Sequence, residues 1–176
     1  MKKADRVSLI ILPVLVLLAG LFALAGSVGE GTPLFGWLVG LAILVQWLAF
    51  IPAFLLQTEK FYDITGSITY IGVITLALVF GPGRDARAVL LWVLVTLWAV
   101  RLGSFLFGRI HKAGRDDRFD EIKPLFFRFL LTWTLQGLWV AFTVSAALAV
   151  MTGNTHKPLD AFALLGGLSG SSWRVM

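Results

Sequence analysis

The chain has 176 residues, 58% of them hydrophobic and only 14% charged, where a soluble domain carries about 25% charged side chains. That is too little polar surface to cover a water-facing globule, and it predicts a multi-pass membrane protein. The net charge of +5 falls between the apolar runs, where it sets orientation rather than gripping nucleic acid; with no cysteine, disulfides, thiolate metal sites and cysteine nucleophiles are excluded.

Residues 1–7 are short and basic. The first apolar run, 8–28, is long enough at ~1.5 Å per residue to cross a hydrocarbon core of ~30 Å. Its Ala23-Leu24-Ala25 resembles a signal-peptidase site, but the length of the run and the spans that follow favour an uncleaved first span. The second run, 34–56, has Gln46 near its middle and Pro52, which is expected to kink it. A polar connector, 57–63, carries Glu59, Tyr62 and Asp63. The third run, 64–80, is the least apolar; its small and hydroxylic residues let helices approach closely. A turn with two glycines and a proline leads to the fourth run, 88–107, which contains Arg101.

A loop follows in which residues 109–124 hold nine of the chain's 25 charged side chains. The fifth run, 125–151, is long enough to be tilted. A sixth begins at 159–165 and fails, and 166–176 is a glycine- and serine-rich tail. The expectation is a single all-α membrane domain over 1–165, a polytopic helix bundle of five full spans and a partial sixth, with a tail foreign to the fold. With the N-terminus inside, nine Lys and Arg fall on the inner side and three on the outer. The positive-inside rule therefore places the N-terminus and the 108–124 loop in the cytoplasm, at the plasma or inner membrane if the source is bacterial.

Several residues can carry chemistry. Arg101 lies about two turns inside the fourth run, where a cation is costly; it is either functional or snorkels to the headgroups. Arg101, Phe105, Gly108 and Lys112 share one helical face and would point two cations at a common spot. Arg128, Thr132, Gln136 and Thr143 form a stripe on the fifth run, expected to face the bundle interior as glue or as a site. Asp63, Ser67 and Tyr70 share a face of the third run, where Asp63 can be an N-cap. Glu59 and Tyr62 can polarise a lipid carbonyl and deliver a proton, or sit in a solvated connector. In Gly114-Arg115-Asp116-Asp117-Arg118-Phe119, arginine forks match phosphate oxygens, unless the loop is merely solvated. There is no G-x-G-x-x-G or Walker pattern. His111 and His156 have no second ligand at metal spacing, so no metal site is expected.

The run Arg101-Leu102-Gly103-Ser104-Phe105-Leu106-Phe107-Gly108-Arg109, with Gly114-x-Asp116-x-Arg118-Phe119, resembles the signature of the DUF1295 family. That family is itself similar to the steroid 5α-reductase C-terminal domain and, more distantly, to sterol C14 reductases and isoprenylcysteine methyltransferases. Phe61 to Ser67 and Gln136-Gly137-Leu138-Trp139 look like the family too, and the likeness runs from about residue 34 to 165. The resemblance implies an all-helical membrane reductase that uses NADPH to reduce an activated carbon–carbon double bond in a lipid or steroid-like substrate. It implies that Arg101, Arg109, Asp116 and Arg118 hold NADPH, and that Glu59, Tyr62 and Asp63 serve the substrate carbonyl and the proton. The family continues with a motif like Ser-Arg-His-Pro-Asn-Tyr, which this sequence lacks, so a truncated or frameshifted member with an incomplete pocket, inactive by itself, is expected. Two other readings remain: a non-catalytic membrane scaffold, and a methyltransferase-like relative using S-adenosylmethionine.

Overall fold

A computed structural model describes residues 3–28, 32–82 and 84–154. The described residues form five helices: α1 (Lys3–Ser27), α2 (Pro33–Leu55), α3 (Tyr62–Phe80), α4 (Ala86–Ala113) and α5 (Phe126–Thr152), with one 3-10 turn (Asp117–Phe119) in the loop before α5. All five are long and apolar enough to cross a membrane. The sixth apolar run, the tail and His156 lie outside the described residues.

The helix ends follow from local chemistry. Pro33 opens α2, where a missing N–H costs nothing. Ser27 of α1 accepts from the Gly36 amide at 3.1 Å and donates to the Ala23 carbonyl, which ties the α1–α2 turn together. Asp85 caps α4 by accepting from the Ala88 amide at 2.8 Å. At the far end Gly114 adopts φ 77°, a left-handed stop that glycine takes without strain. The sequence places the end of the fourth span near Phe107; the helix instead runs on to Ala113, because nothing between Phe107 and Gly114 breaks it.

α5 packs most extensively on α2, and α3 on α4, while α1 lies along α2 and α5. α4 touches α5 only sparsely, so α1 and α4 form opposite edges of the bundle. Polar groups turn inward and apolar groups outward. Gln46, Ser67, Thr69 and Thr134 are buried, whereas Ile10, Leu17, Trp37 and Phe105 are each more than 60% exposed. That inversion suits a hydrocarbon solvent, where helix association rests on close packing and interhelical hydrogen bonds. Gln46 donates to Thr69 at 2.9 Å, which joins α2 to α3. Trp47 donates to Thr134 at 3.0 Å, which joins α2 to α5.

Asp5 ties α1 to α5 at the start of both helices. Asp5, buried near the start of α1, accepts from the amides of Phe127 at 2.8 Å and Arg128 at 3.2 Å. It caps α5 from another helix, because Leu125 has no side-chain oxygen to do so. Asp5→Ala should therefore cost about 1 kcal/mol, read as a lower melting temperature in detergent, while Asp5→Asn keeps most of the stability.

Candidate functional site

The charged end of the bundle is assembled from four pieces: the connector before α3, the first turn of α3, the end of α4 and the loop to α5. Their joint is apolar. Phe119 is buried and packs against Phe129 and the ring of Tyr62. Tyr62 presents its ring to Phe119 and Trp133, each with a centroid separation of 5.1 Å, and its hydroxyl donates to the Thr132 carbonyl at 3.1 Å. Phe119 thus pins the 3-10 turn onto the bundle, and the loop is folded rather than merely solvated.

Charges are laid over that anchor in an ordered network. Glu59 is buried, with one oxygen accepting from the Lys123 ammonium at 2.6 Å and the other from the Asp116 amide at 2.9 Å. Burial pushes its carboxyl up, but Lys123 and the Asp116 amide outweigh that and hold it below its ordinary value. Burial likewise depresses the Lys123 ammonium, and Glu59 outweighs this and raises it. Asp116 accepts from the Arg118 Nε at 2.9 Å and lies 3.7 Å from the Arg109 guanidinium. The Arg118 hydrogen bond holds the Asp116 carboxyl below its usual range and raises Arg118 in turn. Arg109 also reaches Asp63, at 3.5 Å. Asp63 is not the N-cap that its place in the sequence suggests. Phe61 occupies that position without a side-chain bond, and Asp63, already inside the first turn, faces Arg109 across to α4.

A cavity of about 330 Å³ opens beside this network, lined by Arg109, Arg115, Asp116, Asp117 and Arg118 together with Ile110 and Ala113. Three guanidiniums on one cavity suit a phosphate-bearing ligand, and Asp116 holds two of them in place. The structure therefore gathers Glu59, Tyr62, Asp63, Arg109, Asp116 and Arg118 at one end. Arg101 stands apart, in a separate recess of about 320 Å³ with Trp98, Leu102 and Phe105. Sequence reasoning missed Lys123, which counted only as one more positive charge, and Phe119 as the anchor; a lone aromatic within a charged run is the signal that marks the latter.

From this end a polar seam descends along α3. Ser67 meets Gly103 of α4, where a Cβ would come within 2.7 Å of its hydroxyl. Tyr70 and Thr143 share a hydrogen bond of 2.6 Å. Tyr70 also lies edge-on to Trp98 and borders a cavity of about 280 Å³ between α3, α4 and α5. The α5 stripe divides. Gln136 and Thr143 reach α3, whereas Thr132 donates to its own helix at the Arg128 carbonyl and Arg128 contacts Glu121 in the loop. Among the described residues no cluster of His, Asp or Glu has metal-holding geometry.

Comparison with known proteins adds one match. The model of the family described as "Protein of unknown function (DUF1295)" matches residues 49–169, which includes every part of the charged end. No curated protein matches, and no solved structure matches.

Proposed function

The chain belongs to the DUF1295 family, and on that premise we propose that it is a membrane reductase that takes NADPH at its charged end and acts on an activated carbon–carbon double bond in a lipid or steroid-like molecule. The observation that carries this reading is the cavity on which Arg109, Arg115 and Arg118 converge, fixed on the bundle by Phe119 and by the Glu59–Lys123 pair. NADPH, when bound, supplies a hydride. Arg109 and Arg118 hold its phosphates, in place of part of their present pairing with Asp116. Asp117, exposed on the cavity rim and paired through one oxygen with Arg115 at 2.9 Å, has its second oxygen for a sugar hydroxyl.

Within this reading the three residues of the substrate side divide. Glu59 has both oxygens committed, to Lys123 and to the Asp116 amide, so it positions the loop and does not transfer a proton. Tyr62 is likewise committed, its hydroxyl to the Thr132 carbonyl and its ring to Phe119 and Trp133, so it positions the first turn of α3. Asp63 remains for the substrate carbonyl and the proton, at the top of the seam that leads through Ser67 to Tyr70. The lipid reaches that seam through the sparse contact between α4 and α5. In the cell the charged end faces the cytoplasm, where the nucleotide is found.

A ligand screen by thermal shift in detergent tests the reading. NADPH should raise the melting temperature in a concentration-dependent way, and S-adenosylmethionine should not. A shift with S-adenosylmethionine alone would favour a methyltransferase-like protein, and no shift with either would favour a scaffold.

A further inference from the structure

Arg101 is not absorbed by the charged end. The buried stripe of α4 contains Ala99, Gly103 and Ile110, which face α3. At ~100° per residue, Arg101 points almost directly away from that stripe. Phe105, Gly108 and Lys112 follow it on the same outer face. Among the described residues no helix packs there, and no carboxylate lies within ion-pair distance of Arg101 or Lys112. An unpaired guanidinium on a hydrocarbon-facing surface is costly unless an anion meets it.

Spacing narrows the anion. Arg101 and Lys112 are eleven residues apart, ~16 Å along the axis. α4 is 28 residues long, or ~42 Å, and so overruns a ~30 Å hydrocarbon core. With the apolar run ending at 107, Arg101 lies ~9 Å below that boundary and Lys112 ~7 Å beyond it. Each long side chain reaches toward the level between them. At that level sits Gly108, where a Cβ would meet nothing within 4 Å. Trp98 and Phe105 flank Arg101 in its recess and give an acyl chain an apolar wall.

We propose that the outer face of α4 at Arg101, Gly108 and Lys112 is a binding site for a phospholipid of net negative headgroup, its phosphate held between the two cations. The site is separate from the nucleotide cavity, with which its recess shares no lining residue.

Native mass spectrometry of the detergent-solubilised chain, offered equimolar phosphatidylglycerol and phosphatidylcholine, tests this. Phosphatidylglycerol should be retained about five-fold or more over phosphatidylcholine, at least the ratio that one well-placed cation supplies, because the phosphate has to bridge both cations. Arg101→Leu and Lys112→Ala should each bring the ratio close to one, and Arg101→Lys should keep part of it. Both positions face outward, so unchanged helicity and elution confirm that the variants are folded. Glycerol 3-phosphate in millimolar excess should not displace the lipid; displacement would mean a phosphate site reached from water. Equal retention of the two lipids, selectivity that survives Arg101→Leu, or release of lipid by NADPH would each overturn the proposal.

Discussion

Lys123→Met should lower the stability of the detergent-solubilised protein at pH 7 by about 3 kcal/mol, the low end of the cost of stranding one partner of a buried ion pair. Glu59 keeps only 3% of its side chain exposed and Lys123 15%, so water does little to replace the lost ammonium. The pH dependence follows from the directions of the two shifts. Glu59 is depressed below its ordinary 4.5, so its contribution is complete above that value and disappears as pH falls through the native one. Lys123 is raised above its ordinary 10.5, so its contribution is complete below that value and disappears as pH rises through the native one. The native protein should show a broad plateau between these limits. In Lys123→Met, burial acts on Glu59 without its main counterweight, the carboxyl rises, and the melting temperature should increase as pH falls from 7 to 5. Adding Glu59→Gln should restore most of the stability at pH 7, since it removes the stranded charge and keeps an acceptor for the Asp116 amide. A Lys123→Met melting curve that matches the native one at pH 7 would show that the pair does not fasten the loop.

The second large effect concerns a close approach between α5 and α2. Gly137 of α5 lies against α2 so tightly that a Cβ would come within 2.8 Å of the Ile43 side chain and 3.0 Å of its backbone Cα. A side chain end can swing aside, but the backbone of a packed helix cannot. Gly137→Val should therefore cost about 3 kcal/mol, the upper part of the overpacking range, and broaden the elution peak in size-exclusion chromatography. Gly40→Val is the control, because a Cβ there meets nothing within 4 Å; it should leave both stability and elution unchanged. Equal behaviour of the two variants would contradict the packing described for α2 and α5.

These two sites also mark the limit of what can be read from one sequence. The five spans are legible because each apolar block reaches bilayer length, whereas the end of α4 at Ala113 lies beyond the apolar run that marks the span. The seam of Asp63, Ser67 and Tyr70 is legible from helical spacing, and the same spacing marks the outer face of α4. Long-range partners are not legible. Glu59 and Lys123 are separated by 64 positions, and Asp5 and Phe127 by 122, so no local pattern joins them. Asp63 looks like a cap because an acid at the start of an apolar run usually is one; the helix begins at Tyr62, two residues before Ile64, and tertiary contact with Arg109 takes over. Thr132 shares a stripe with Gln136 yet satisfies itself on its own helix, because a threonine hydroxyl reaches the carbonyl four residues back. Arg101 and Arg109 read as one basic motif along the chain, but eight residues of helix turn them toward different recesses.

NADPH binding is the direct test of the nucleotide site proposed at the folded loop. The purified chain and its Arg118→Ala variant are titrated with NADPH in detergent, and nicotinamide fluorescence is followed. Saturable binding to the native chain is expected, with Arg118→Ala weaker by about ten-fold or more, since a hydrogen bond to a charged group contributes about 1.5–3 kcal/mol. No saturable binding at millimolar NADPH, or equal affinity of the two proteins, would contradict it.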